Sequence, residues 1–155
     1  MIVLQQGDKA PAFKAKDQDG NLVSLKDFKG KKVALYFYPH DDTPTCTTEA
    51  CNLRDNYEQL LQNGIVILGV SEDSAAKHKK FGQKHSLPFT LLADEDHKML
   101  DAYGVWAEKK FMGKTHMGTL RTTFLINEKG KIEHIIEKVE SKNHAAQILG
   151  TWGLQ

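Results

Sequence analysis

The chain lacks several things, and each absence narrows what it can do. It has only two cysteines in 155 residues, too few for the disulfide-rich scaffolds of small secreted proteins. Neither sign of charge is in excess: 21 Lys plus Arg against 20 Asp plus Glu leave a net charge of +1. Nothing in that balance offers a basic footprint for nucleic acid or an anionic membrane. Long hydrophobic runs are missing too. Val33–Tyr38 and Ile65–Val70 are the longest, far below the ~20 residues of a membrane span. The opening Met1–Leu4 lacks the basic stretch and the long apolar core of a secretory signal. Internal repeats and Pro- or Ser-rich linkers are also absent. The expectation is a single domain over residues 1–155, in the cytoplasm. Its two thiols, Cys46 and Cys51, are then bystanders, half of a metal site or a redox pair.

What is present follows an α/β pattern. Ala12–Lys16 and Asn21–Ser24 flank an Asp19-Gly20 turn, which reads as an N-terminal β-hairpin. Ser24–Phe28 reads as one helical turn closed by Gly30. Val33–Tyr38 and Ile65–Val70 are apolar on both faces, the mark of buried central strands. Between them Thr43-Pro44 opens a helix, and Leu53, Tyr57, Leu60 and Leu61 carry it at helical spacing to Gln62, before Asn63-Gly64 stops it. A helix from Ser74 to about His85, a strand over Leu87–Leu92 and a helix over Asp96–Tyr103 follow. Arg121–Ile126 and Lys131–Ile136 form a hairpin, and Ser141 caps a last helix running to about Trp152. This order implies a mixed central sheet flanked by helices on both faces, with chemistry beyond the C-terminal ends of its strands. The loop His40–Thr45, just before both cysteines, is such a place.

The cysteine helix narrows the choice. With Thr43 as N-cap and Pro44 first, Cys46 is the third helical residue. Free N–H groups and the positive end of the helix dipole favour an anion there, and hence a thiolate. Five residues further on, Cys51 lies at a rise of about 7.5 Å and a rotation of about 140°. The Cα separation is then about 8.7 Å, beyond the ~7 Å that a disulfide spans without backbone movement. If the two thiols join, the first turns of the helix must unwind. That points to a two-step cycle, in which one thiolate reacts first and the second reaches it after a local rearrangement. A metal site is disfavoured, because zinc wants closely spaced pairs of ligands that this chain does not supply. All seven histidines are therefore read as surface or core residues, and no cofactor or metal is expected.

Pro39, Thr43 and Cys46 stand in the spacing Pro-x-x-x-Thr-x-x-Cys, which resembles the peroxiredoxin signature. The likeness continues through Gly7–Phe13, Phe37–Pro39, Thr47–Cys51, Gly69–Ser71, Leu87–Phe89, Tyr103–Trp106 and Gly118–Phe124. The Cys-x-x-x-x-Cys spacing is similar to the bacterioferritin comigratory protein, or peroxiredoxin Q, branch. This resemblance implies a thioredoxin-like fold and a thiol peroxidase acting on hydrogen peroxide and organic hydroperoxides. It implies a peroxidatic Cys46, a resolving Cys51, and Thr43 and Arg121 as the residues that orient peroxide and favour the thiolate. Pro39 would shield the site and Glu49 would support Arg121. It also implies recycling by thioredoxin or a similar dithiol, and a monomer. One departure stands out: Thr45 occupies a position where the family commonly has Gly, which narrows access or stiffens the loop.

The residues' own chemistry agrees with this. Attack of a thiolate on a peroxide oxygen gives a sulfenic acid, which a second thiol converts to a disulfide. Fixed donors at the helix start and a permanently charged guanidinium suit the leaving oxygen. Tyr38 and Trp106 are read as packing residues beside the pocket. Asp41 and Asp42 are read as loop-solvating, since acids aimed at a thiolate hinder its ionisation. The competing readings are a protein dithiol-disulfide oxidoreductase, which wants Cys-x-x-Cys instead, and a non-catalytic thioredoxin-like binding domain.

Overall fold

The computed structural model of the chain describes residues 2–155, with Phe111 described by its backbone alone; Met1 lies outside the described residues. β1 (Lys14–Lys16) and β2 (Leu22–Ser24) form the expected hairpin, with Ala15 opposite Val23. One Asp17 carboxylate oxygen accepts the amides of Asp19 and Asn21 and so closes its loop. After a 3-10 turn at Leu25–Phe28 come β3 (Lys32–Phe37), α1 (Pro44–Asp55), α2 (Tyr57–Gln62), β4 (Ile65–Ser71) and α3 (Ala75–Lys84). Then follow β5 (Thr90–Ala93), α4 (Lys98–Ala102), β6 (Trp106–Phe111), β7 (Lys114–Thr119), β8 (Thr122–Ile126), β9 (Ile132–Ile136) and α5 (His144–Thr151).

Seven strands form one mixed sheet in the order β2-β1-β5-β4-β3-β8-β9. β3, β4 and β5 run parallel, and the flanking pairings are antiparallel. β3 shows how the core is divided. Ala34, Tyr36 and Tyr38 point to one side, where they pack with Cys46, Ala50 and Leu53 of α1 and Ala145, Ile148 and Leu149 of α5. Val33, Leu35 and Phe37 point to the other, against Met99 and Leu100 of α4 and Phe13. Strands buried on both faces carry no polar alternation, which is why they read so plainly from sequence. Gly69, opposite Tyr36 across β3 and β4, makes room for that ring: a Cβ there would meet the ring at 2.8 Å and Leu91 at 2.9 Å.

The structure departs from the sequence reading in four places. The helix expected over 44–62 breaks at Asn56, whose side-chain amide donates to the Asn52 carbonyl at 2.9 Å and so replaces a helical backbone bond. The strand expected from Leu87 begins only at Thr90, since Pro88 has no N–H for a ladder. The last helix starts as a 3-10 turn at Ser141–Asn143, and α5 proper begins at His144. The β6–β7 hairpin was not foreseen. Its turn takes Met112 and Gly113 to φ 52° and 79°, the left-handed pair of a tight two-residue turn.

Candidate active site

The register read for α1 holds. Thr43 is the N-cap in extended conformation, Pro44 begins the helix, and the Thr47 amide donates to the Thr43 carbonyl at 2.9 Å. Cys46 is thus the third helical residue, and it is buried. The Thr43 side chain does not cap the helix, however. Its hydroxyl donates instead to the His40 carbonyl at 3.0 Å, which ties the loop into a turn before the helix.

Arg121 enters from the residue before β8 and joins two α1 side chains. Its Nη2 donates to Cys46 Sγ at 3.2 Å, and its Nη1 donates to Glu49 Oε1 at 2.6 Å. The two bonds come from two nitrogens of one rigid, planar guanidinium, a geometry that the single nitrogen of a lysine does not reproduce. Burial works against the arginine's charge, but Glu49 and the Cys46 sulfur outweigh it and keep the guanidinium protonated. Arg121 also borders a shallow surface depression of about 360 Å³, together with Ile2, Leu120 and Glu137.

Glu49 is fully buried, and burial pushes its carboxyl up to about 7 despite the pull of Arg121. Its Oε2 makes no hydrogen bond and faces His144 Nε2 at 3.6 Å. That nitrogen takes the Thr123 hydroxyl at 2.7 Å, and His144 Nδ1 meets Gln147 Oε1 at 2.8 Å. His144 is fully buried as well, and burial lowers its pKa to about 4. The imidazole is therefore neutral, with Nδ1–H donating to Gln147 and a bare Nε2.

A second polar cluster holds the loop in front of α1, and it corrects the reading of Asp41 as loop-solvating. Asp41 is buried. Its Oδ1 accepts the Tyr38 hydroxyl at 2.5 Å, its Oδ2 meets His78 Nδ1 at 2.6 Å, and its amide donates to Asp73 Oδ2 at 2.7 Å. Asp73 also accepts the Ser71 hydroxyl and pairs with Lys77 at 2.9 Å. One donor set among the described residues, Asp41, Asp73 and His78, is close enough to hold a cation, but these atoms already serve one another, Tyr38, Ser71 and Lys77. Tyr38 therefore packs beneath the loop with its hydroxyl bound. Asp42 is exposed and pairs with Lys84 and His85.

The remaining expected site residues are less closely gathered. Pro39 follows β3 and is half-buried. Trp106 packs on the opposite face of the sheet from Cys46, with its ring 4.1 Å from that of His97 between centroids. Cys51 shares α1 with Cys46, both as free thiols. The intact helix keeps their Cα atoms about 8.7 Å apart. His78, Asp73, His144 and His85 were not singled out from sequence. Each is polar and partly or wholly buried through a distant partner, which leaves no periodic signal.

A mixed sheet whose helix-start thiol meets an arginine defines a thiol-based redox enzyme on a thioredoxin-like frame. Known proteins agree. The model of the AhpC/TSA family matches residues 6–135. Peroxiredoxin Bcp of Escherichia coli (strain K12) is 49% identical over 149 residues, covering 96% of each chain. Peroxiredoxin Bcp of Bacillus subtilis (strain 168) is 48% identical over 150 residues, covering 97% of this chain and 96% of its own. A solved Xanthomonas campestris bacterioferritin comigratory protein superposes with a TM-score of 0.85 at 32% identity, covering 91% of this chain and 90% of its own. The chain belongs to the AhpC/TSA family, in its peroxiredoxin Bcp and peroxiredoxin Q branch. It is a thiol-dependent peroxidase. No helix is long and apolar enough to cross a membrane among the described residues.

Proposed function

We propose that Cys46 is the peroxidatic cysteine and Cys51 the resolving one, in a single domain spanning residues 1–155. The observation that carries this is the 3.2 Å bond from Arg121 to Cys46 Sγ, at a helix position already favourable to an anion. The Cys46 thiolate attacks one oxygen of the hydroperoxide, and the O–O bond breaks. The departing oxygen takes a proton and leaves as water or an alcohol, and Cys46 becomes a sulfenic acid. Arg121 and the N–H groups at the start of α1 offset the charge on that oxygen. Thr43 orients the peroxide, with its hydroxyl held by His40. Glu49 fixes the second arm of Arg121, and Pro39 shields the pocket. Tyr38 acts at one remove, through Asp41 and the loop that carries Thr43. Trp106 is a packing residue of the opposite core.

Cys51 then attacks the Cys46 sulfur. A disulfide forms, the S–O bond breaks and water is released. The substrate class extends to alkyl hydroperoxides, in keeping with the alkyl peroxide reduction activity named for the Xanthomonas relative. Thioredoxin or a similar dithiol returns the pair to thiols, and the enzyme works as a cytoplasmic monomer. Stopped-flow mixing with hydrogen peroxide or a bulky alkyl hydroperoxide, with and without thioredoxin, tests this. Cys46→Ser should consume no peroxide, while Cys51→Ser should react once and stop. Equal first turnovers in wild type and Cys46→Ser would overturn the assignment.

A further inference from the structure

Cys51 has a neighbour that the steps above leave unused. Its sulfur lies 3.9 Å from His85 Nδ1. The other ring nitrogen, Nε2, lies 3.3 Å from Asp42 Oδ1. The Asp42 carboxylate is met in turn by Lys84 Nζ at 2.8 and 3.1 Å. Thiol, imidazole, carboxylate and ammonium therefore stand in line, drawn from α1, the loop before it and the end of α3.

Several features fix the imidazole in that line. His85 follows the last residue of α3, where a helix end favours a positive charge. Its ring meets Phe81 edge-on at 5.2 Å between centroids. Its backbone carbonyl accepts Arg54 Nη1 at 2.8 Å. Asp42 takes a left-handed backbone conformation, φ 62°, which aspartate tolerates better than most residues. Lys84 and then His85 hold its carboxyl below the usual range, so it faces the ring as an anion. The charged groups around His85 are thus Asp42 from the loop, Lys84 from α3 and Arg54 from α1, with the Cys51 thiol opposite.

An anion at Nε2 favours the tautomer with its proton on Nε2 and leaves a lone pair on Nδ1, pointing at the thiol. We propose that His85 is the catalytic base of the resolving step, with Asp42 as its positioning residue. This rests on the reading of Cys51 as the resolving cysteine. His85 Nδ1 takes the proton from the Cys51 thiol and becomes an imidazolium. The Cys51 thiolate then attacks the sulfenic sulfur of Cys46, so an S–S bond forms and the S–O bond breaks. The electron pair of that bond leaves on hydroxide. The proton held on His85 and the hydroxide account for the water released. Cys51 is oxidised, the sulfenic sulfur is reduced, and nothing beyond the first peroxide is needed.

Each sulfur thereby has its own cationic partner, Arg121 for Cys46 and His85 for Cys51. The base stands beside the thiol while α1 is still intact, so proton transfer does not have to wait for the helix to open.

Rapid-quench kinetics with hydrogen peroxide separates sulfenic acid formation from disulfide formation in one experiment. In His85→Gln the ratio of the second rate to the first should fall about tenfold or more at neutral pH. Its disulfide step should then depend on hydroxide concentration more steeply than in wild type. Added imidazole should restore part of the loss in His85→Ala, which a purely structural role does not allow. Asp42→Asn should slow the same step less and alter its pH profile. A His85→Gln protein that keeps both the wild-type ratio and the wild-type profile would overturn the proposal. Cys51→Ser separates the two assignments. If its Cys46 sulfenic acid disappears as fast as in wild type, the resolving assignment fails and the base fails with it. If only Cys51→Ser stops the step while His85→Gln does not, the base alone is wrong.

Discussion

If Cys46 and Cys51 join only after the start of α1 opens, helix propensity between them should set how fast they join. Thr48 is the place to test this. It is exposed, it lies between the two cysteines, and its hydroxyl donates to the Pro44 carbonyl at 3.0 Å. Thr48→Ala and Thr48→Gly both remove that bond and differ only in backbone preference. In an exposed helix interior, Gly is about 1 kcal/mol less favourable than Ala. That corresponds to about fivefold in the balance between wound and unwound segments. The effect should not be buffered by packing. The buried residues of α1 are Cys46, Glu49, Ala50 and Leu53, so the large apolar anchor, Leu53, lies beyond Cys51. Rapid quenching with a sulfenic acid trap measures the step. Thr48→Gly should form the disulfide about fivefold faster than Thr48→Ala, with the peroxide step the same in both. Equal disulfide rates, or the reverse order, in two equally folded variants would refute the unwinding argument.

Three further outcomes follow from the site. Arg121→Lys keeps a charge but loses the fork between Cys46 and Glu49, so alkylation of Cys46 at neutral pH should slow about tenfold or more; an unchanged alkylation rate removes Arg121 from the site. Burial raises Glu49 from 4.5 to about 7, so its contribution to stability is complete below pH 4.5 and is lost as pH rises to about 7. Glu49→Gln lacks that loss, and its unfolding free energy relative to wild type should grow by on the order of 3 kcal/mol across this window; a difference that stays flat with pH contradicts the buried-acid account. Gly69→Ala drives a methyl to 2.8 Å from the Tyr36 ring and should cost about 1–3 kcal/mol in thermal or denaturant unfolding; an unchanged midpoint would mean that the ring moves freely.

What could be read from the sequence was local. β3 and β4 announce themselves because both of their faces are buried, and Thr43-Pro44 sets the register of Cys46 through backbone preferences alone. The break at Asn56 is invisible in the apolar spacing, because Leu53, Tyr57 and Leu60 keep their rhythm across it. The β6–β7 hairpin was lost for the opposite reason. Most of β7 is exposed, so no apolar alternation marks it, and only Gly113 hints at the turn. Arg121 lies 75 residues from Cys46, and only the family likeness connected them. Asp41, His78 and His144 were misjudged or passed over because a polar residue is buried by its partner, and a partner far along the chain has no trace in local sequence. The same holds for His85, which meets Cys51 across 34 residues.

The spacing of the two cysteines makes sense only in light of what each one touches. A structural disulfide needs its sulfurs together in the folded state, and an intact α1 forbids that. A peroxidase needs the opposite at the start of its cycle: a thiolate left free for peroxide, since a pair already closed has no nucleophile to offer. Arg121 holds Cys46 against the sheet, while Cys51 lies against the end of α3. These contacts come from different elements, so the reduced state is fixed from two sides. The short stretch of α1 between them carries little apolar anchoring. Local opening free energies are lowest where few buried apolar contacts resist. Opening this stretch means releasing the bonds of Cys46 and Glu49 to Arg121 and exposing the small Ala50, with no large apolar side chain to withdraw.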